Sequence, residues 1–121
     1  MVRNESELWR YLKKNTPQIN WVKIENTSHF GTPDLLGYNK NKTFFTVEMK
    51  VTKRNKLKFS PHQLAFHIQH PKNSFILAIQ SLDQCLKLYE GNQIESLATR
   101  GLKLEPICNG LESCIERLEE L

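Results

Sequence analysis

The chain has 121 residues, of which 39% are hydrophobic and 25% are charged, and its formal net charge is +4. A chain of this length can bury a sizeable core, so we expect one domain over 1–121. No apolar run approaches the roughly 18 residues that span a bilayer, and the N-terminus has no apolar signal segment. An odd number of cysteines without a CxxC pair argues against a disulfide framework or a zinc site. We therefore expect a cytoplasmic protein with no membrane partner.

Hydrophobic periodicity and turn residues predict helices and strands along the whole chain. The predicted elements, in chain order, are a helix over 4–14, strands over 21–25, 33–38 and 43–51, a helix over 60–70, strands over 74–80 and 85–89, and a helix over 110–121. The strand over 43–51 is the strongest, because it is rich in β-branched and aromatic residues. Ser60 followed by Pro61 is typical of a helix start, with the serine as N-cap. This order predicts an α/β domain with a central mixed sheet flanked by helices.

Positive charge is concentrated in the middle of the chain. Residues 40–58 contain seven lysine or arginine residues and one acid, whereas residues 105–121 contain five acids and one base. A basic centre of this kind is typical of a surface that binds a polyanion, although a solvated basic loop would have the same composition. The residues that we expect to contact phosphates are Lys53, Arg54, Lys56 and Lys58.

The most informative stretch runs from Asp34 to Lys50. Glu48 and Lys50 are two residues apart in a predicted strand, so their side chains point to the same face. The residues expected to point to the opposite face, into a core, are Phe45, Val47, Met49 and Val51. Asp34 follows a turn that contains Gly31, and pairing of the two strands as an antiparallel hairpin would bring it beside Glu48.

Asp34 and Glu48 would then form a pair of carboxylates, which repel each other unless a cation joins them. A hard divalent cation with oxygen ligands is the natural partner, and Mg²⁺ fits that preference. Lys50 could hold or help to deprotonate an attacking water, or stabilise charge that develops on a phosphate. The alternative is structural: an aspartate in a turn, and a Glu48–Lys50 pair on an exposed sheet face.

Four other residues could contribute to such a site. Glu5 is predicted on the apolar side of the first helix, where an acid is unusual, unless it is a first-turn acid favoured by the helix dipole. Gln63 completes a capping box with Ser60, which accounts for it structurally, yet it could also face the site. His67, one turn further on, and His29, in a loop, could touch a phosphate, although a lone histidine often has no functional role.

Four segments in this order resemble the active site of the PD-(D/E)XK nuclease superfamily. The segments are Glu5, Gly31-Thr-Pro-Asp34, Glu48-Met-Lys50 and Ser60-Pro-His-Gln63. Within the superfamily the chain is most similar to small stand-alone nucleases of the VRR-Nuc type, which are often found in phages. Holliday junction resolvase-like enzymes look like neighbours. The resemblance covers about two-thirds of the chain, from Glu5 to Tyr89.

The resemblance implies a restriction-endonuclease-like core with the order αβββαβ, and hydrolysis of DNA phosphodiester bonds that depends on Mg²⁺ or Mn²⁺. It implies that Asp34 and Glu48 bind the metal together with the backbone carbonyl of Met49. Glu5 would support this metal or a second one, and Lys50 would position the attacking water. The residues implied in catalysis are Asp34, Glu48, Lys50 and Gln63. A phage-encoded protein of this kind would work in the host cytoplasm.

Several functions share this pattern. The leading hypothesis is a structure-selective endonuclease acting on branched or junction DNA in replication, recombination or repair. Such an enzyme could be a homodimer, with the helix over 110–121 as one face of the interface. A site-specific, restriction- or homing-like endonuclease is an alternative, although 121 residues leave little room for a separate base-reading module. A non-catalytic nucleic-acid-binding subunit is a further alternative. The segment after Tyr89 has no counterpart in the resemblance.

Overall fold

The computed structural model describes residues 1–24 and 31–121, which contain helices and strands throughout. The helices are α1 (Glu5–Asn15), α2 (Pro61–Gln69), α3 (Ile94–Arg100) and α4 (Leu111–Glu119). The strands are β1 (Asn20–Lys23), β2 (Leu35–Tyr38), β3 (Phe44–Thr52), β4 (Ser74–Gln80), β5 (Leu86–Glu90) and β6 (Cys108–Asn109). Single turns of 3₁₀ helix, Gly91–Gln93 and Gly101–Lys103, flank α3. Along the described part of the chain, no helix combines the length and apolar character needed to cross a membrane.

The strands form one six-stranded mixed sheet in the order β1-β2-β3-β4-β5-β6. Every neighbouring pair is antiparallel except β3 and β4, which run parallel because α2 carries the chain back across the sheet. Strand β3 is therefore central, with antiparallel β2 on one side and parallel β4 on the other. The predicted α/β class, with a mixed sheet flanked by helices, is confirmed.

The sheet separates two apolar clusters. One face packs against α1 and α4, which contribute residues such as Leu8 and Leu118, and the other packs against α3 through Ile94 and Leu97. The residues of β3 in the first cluster are Phe45, Val47 and Met49, with Val51 packed against it. The predicted inward face of this strand is therefore confirmed. The opposite face of the same strand carries Glu48, on the side of the sheet that holds the second apolar cluster.

The apolar face of α4 is already occupied within the monomer. Cys114, Ile115 and Leu118 are buried against the sheet, and Leu111 packs at the margin of the same cluster. This apolar stripe therefore belongs to the core of the domain, and only the exposed side of the helix could supply a face to a second copy. Homodimer formation itself stays a prediction.

The structure contains two elements that the sequence pattern did not predict, α3 and β6. Helix α3 has seven residues between Gly91 and Gly101, so its apolar positions, Ile94 and Leu97, give a periodic signal of less than two turns. Strand β6 has only two residues, which pair with β5. Elsewhere the predicted ends differ by one or two residues, as is usual for element boundaries. The predicted strand over 21–25 becomes β1, and Glu25 lies outside the described residues.

Gly101 is expected to tolerate no side chain. Its φ of 61° and ψ of −150° are a conformation nearly restricted to glycine, and a Cβ atom there would collide with the backbone oxygen of Asn55. We expect Gly101→Ala to lower the free energy of unfolding by roughly 2–3 kcal/mol, as measured by urea denaturation. Gly110→Ala is the control, because Gly110 also has a positive φ but has open space around the added carbon. Equal losses in the two variants would contradict the proposed contact with Asn55.

Candidate active site

The β2–β3 hairpin brings Asp34 beside Glu48. In the register of the pair, Leu35 lies opposite Val47, so continuing the ladder by one residue places Asp34 opposite Glu48. The Met49 amide donates a hydrogen bond of 2.7 Å to Asp34 Oδ2, and the Ile24 amide donates one of 2.8 Å to the Asp34 backbone oxygen. The aspartate is thus held from both neighbouring strands.

Glu48 is a buried carboxyl with an incomplete set of partners. Glu48 is only 3% exposed, and it pairs with Ile76 of the apolar strand β4. Its Oε1 has no hydrogen-bond partner among the described residues. Burial raises the pKa of Glu48 well above its ordinary value of 4.5, and the negative charge of the neighbouring Asp34 raises this pKa further. The positive charge of Lys50 opposes this shift, while Glu5 adds to it. A carboxyl in this condition needs a cation to become a stable carboxylate.

Gln63 bridges the carboxyl group of Glu48 and the ammonium group of Lys50. Its Nε2 donates to Glu48 Oε2 at 3.2 Å, and its Oε1 accepts from Lys50 Nζ at the same distance. The same Oε1 accepts from the Ser60 amide at 3.0 Å, while Ser60 Oγ accepts from the Gln63 amide at 3.1 Å. The capping box predicted from the sequence is confirmed. The structural and functional interpretations of Gln63 are therefore compatible, because one side chain makes both sets of contacts.

Lys50 lies at the wall of a cleft of about 250 Å³. Its ammonium group stands 4.9 Å from the centre of the Phe59 ring, within the range of a cation–π contact. The cleft is lined by Glu5, Lys50, Val51, Thr52, Lys56, Leu57 and Lys58. The start of α1, the end of β3 and the basic loop over 53–58 therefore meet at one opening beside Lys50.

Glu5 reaches this cleft from the first turn of α1. Its spacing from Leu8 and Leu12 places it on the same side of the helix as these two residues. Glu5 is nevertheless exposed, because burial against the sheet begins one turn later, at Leu8. Its position at the mouth of the cleft still places a negative charge near Glu48.

The donor set beside β3 suits a hard divalent cation. Within residues 1–24 and 31–121, no three His, Cys, Asp or Glu side chains cluster closely enough to form a metal site by themselves. Asp34 and Glu48 supply two carboxyls, one with an unsatisfied buried oxygen. The Met49 amide points to Asp34, and the N–H and C=O of one strand residue point the same way, so the Met49 carbonyl also faces this side. Mg²⁺ uses one or two carboxylates and fills its remaining positions with water or substrate oxygens, so the set fits.

The residues predicted to contact phosphates have different positions. Lys53, Arg54, Lys56 and Lys58 are all exposed on the loop that follows β3. The prediction for His67 is wrong, because its side chain is fully buried and its Nδ1 lies 3.2 Å from Ser74 Oγ. Burial lowers the pKa of His67 to about 4, so the ring is neutral at pH 7. His29 lies outside the described residues.

The sequence pattern missed Phe59 as a member of the site. Nine positions separate it from Lys50, and they cross a loop, so no helical or strand periodicity relates the two residues. Only the return of the chain at Leu57, which is buried in the second apolar cluster, brings the ring over the lysine. An aromatic residue directly before an N-cap serine is a weak signal by itself.

Comparison with known proteins gives no independent assignment of this site. A scan against protein-family models matches no family, and a search of curated proteins finds no similar sequence.

Proposed function

We propose that this chain is a divalent-metal-dependent endonuclease that hydrolyses DNA phosphodiester bonds with a PD-(D/E)XK-type site on a restriction-endonuclease-like core. The observation that carries the proposal is Glu48, a buried carboxyl with one unpartnered oxygen, next to Asp34 and bridged to Lys50 by Gln63. A carboxyl pair of this kind is costly in a folded protein unless it binds a cation. A lysine, a second acid and a basic loop around one cleft match the needs of phosphodiester hydrolysis.

The chemistry of the proposed reaction divides between metal and protein. When bound, Mg²⁺ or Mn²⁺ supplies positive charge to the phosphate and lowers the pKa of water. Asp34 and Glu48 would hold the ion with the Met49 carbonyl, and the Met49 amide fixes the orientation of Asp34. Lys50 would donate a hydrogen bond to the attacking water or to the phosphate oxygen that gains charge. Gln63 keeps the Lys50 ammonium group on the side of Glu48.

The structural alternative explains fewer of these contacts. A stabilising surface pair would have both side chains exposed and in direct contact, whereas Glu48 is 3% exposed and reaches Lys50 only through the Gln63 amide in the described contacts. Burying the acid without a partner for Oε1 costs stability. Such a cost is typical of sites that are kept for function.

The preferred substrate that we propose is branched or junction DNA, in replication, recombination or repair. The test is a labelled panel of four-way junction, flap, linear duplex and single strand, incubated with Mg²⁺, Mn²⁺ or EDTA. We expect wild type to cut only with metal, and to cut a branched member fastest. Glu112→Gln is the control for charge, because Glu112 is exposed on α4 across the sheet from the site.

Other outcomes would assign the alternatives. Discrete fragments from a plasmid would favour a site-specific enzyme. Metal-independent binding of the panel without cutting in any metal would overturn the nuclease proposal and favour a non-catalytic binding subunit. Cutting that survives in Glu48→Gln would assign the activity to another site or to a contaminant.

A further inference from the structure

The segment after β5 packs directly against the basic loop. The Leu102 amide donates a hydrogen bond of 2.8 Å to the backbone oxygen of Asn55, and Gly101 allows the two backbones this close approach. Leu102 itself is buried in the second apolar cluster, together with Leu57 from the loop. The region that has no counterpart in the nuclease resemblance is thus part of the surface beside the site.

This contact creates a second cleft next to the first. Its volume is about 470 Å³, and its walls are Asn55, Lys56, Thr99, Arg100, Gly101 and Lys103. Lys56 also lines the cleft that contains Lys50 and Glu5. One lysine therefore separates the candidate active site from a cleft whose charged side chains are all cationic.

The cations of the second cleft are available to a ligand. Arg100 and Lys103 are exposed, and none of the ion pairs in the described chain involves either of them. The loop and the segment packed against it together expose six cationic side chains. They are Lys53, Arg54, Lys56, Lys58, Arg100 and Lys103. A concentration of like charges on adjoining segments suits a ligand with repeated anionic groups.

The loop that carries four of these cations is held in place by its neighbours. Thr52 Oγ1 donates to the Lys56 backbone oxygen at 3.0 Å and accepts from the Arg54 amide at 3.3 Å. Gln80 Nε2 donates to the Arg54 backbone oxygen at 3.2 Å. Ordering of the loop backbone therefore adds little cost when a ligand binds.

We propose that Arg100 and Lys103 bind the phosphodiester backbone of the nucleic acid beyond Lys56, outside the reaction centre. This inference rests on the proposed function for the choice of ligand, because the same strand would lead from this cleft to Lys50. The contacts are made to phosphates and read no bases, so they add affinity without sequence preference. The short helix α3 and the turn after it thus extend the proposed DNA-binding surface beyond the basic loop.

The test measures binding apart from cutting. A fluorescent four-way junction and a linear duplex are titrated in EDTA at several salt concentrations with wild type and with Arg100→Gln/Lys103→Gln. We expect the slope of log K against log salt to become shallower by about 1.8, since each lost phosphate contact on duplex DNA accounts for about 0.9. Affinity at moderate salt should fall roughly tenfold or more, equally for both probes.

The matched control removes two cations at the other end of the domain. Lys14 and Lys40 are exposed, and Lys40 lines a cleft at the end of α1 remote from Glu5. Lys14→Gln/Lys40→Gln should change the slope by less than half as much as the double variant at Arg100 and Lys103. Equal changes in the two double variants would overturn the proposal, because net charge alone would then explain the effect. If the double variant at Arg100 and Lys103 melts early, the two single variants replace it, each with an expected slope change of about 0.9.

The outcome is independent of the outcome of the cleavage assay. Loss of binding in the variant together with cutting by wild type supports both proposals. A wild type that binds through Arg100 and Lys103 but cuts nothing overturns only the nuclease. A wild type that cuts normally while the variant keeps its full affinity and slope overturns only the second cleft.

Discussion

Glu48→Gln is expected to lower the rate of metal-dependent cleavage by roughly 10³-fold or more. Without metal, the variant should be folded and at least as stable as the wild type. Glutamine has nearly the same shape, and its amide carries no charge to repel Asp34. In the wild type, ionisation of Glu48 places a charge in a buried position beside a second acid, a cost that the neutral amide of the variant avoids. A structural role for Glu48 would have the opposite effect on stability.

The effect of pH on this comparison has a definite sign. Because burial raises the pKa of Glu48 in the folded protein above 4.5, the folded state keeps a proton that the unfolded chain releases. The metal-free wild type should therefore lose stability as the pH rises from about 5 to about 8, relative to Glu48→Gln, which has no such group. Urea denaturation of both proteins in EDTA at several pH values measures the difference. A difference in the free energy of unfolding between the two proteins that becomes smaller as the pH rises would contradict this account.

Metal should make the wild type more stable than Glu48→Gln, which is the reverse of the order expected without metal. A cation that binds only the folded state stabilises it by about 2.7 kcal/mol at a hundred times its dissociation constant. We expect Mn²⁺ or Mg²⁺ to raise the melting temperature of the wild type and of Glu112→Gln, but not of Glu48→Gln. Metal that stabilises all three proteins equally would be bound elsewhere, and the assignment of Asp34 and Glu48 as ligands would fail.

Lys50→Met should be the second most damaging change to activity. Methionine keeps the apolar stem against Phe59 but removes the ammonium group that Gln63 holds, so the reaction loses its donor beside the phosphate. We expect the rate at saturating DNA to fall by about 10²–10³-fold, since a single well-placed donor is worth that much. Single-turnover cleavage measures this rate directly.

The same variant should keep its metal response. Lys50 is not among the proposed ligands, and its positive charge opposes the binding of a cation to Glu48, so Mn²⁺ should stabilise Lys50→Met at least as much as wild type. Lys58→Met is the control, because Lys58 lines the same cleft but is exposed on the loop. A metal response lost in Lys50→Met, or equal rates in the two variants, would contradict the role given to Lys50.

Much of the fold and of the central site follows from short-range rules. Alternation along a strand correctly places Glu48 and Lys50 on one face and Phe45 and Val47 on the other. The Ser60 cap is equally local, because a serine, a proline and a glutamine at fixed spacing define the start of α2. Local patterns of this kind depend on backbone geometry, which the sequence determines directly.

The missed features depend on contacts between distant segments. His67 was expected at a phosphate, but the sheet and Gly91 enclose it, which nothing in the helix pattern indicates. Glu5 was expected on the apolar side of α1, but this side of the helix is buried only from Leu8 onwards, one turn after Glu5. Helix α3 is too short to show a period, and its position depends on Gly101 meeting the loop at Asn55.

The shared oxygen of Gln63 has a consequence for local opening. Gln63 Oε1 accepts from both the Ser60 amide and Lys50 Nζ, so the first turn of α2 cannot fray without releasing the lysine. Opening of this turn and disassembly of the candidate active site are thus one cooperative event. Amide exchange at Gln63 and Leu64 should then slow when metal and DNA are bound, although neither amide contacts the ligand. The exchange rate at the start of α2 would therefore report the fraction of molecules in which the site is assembled.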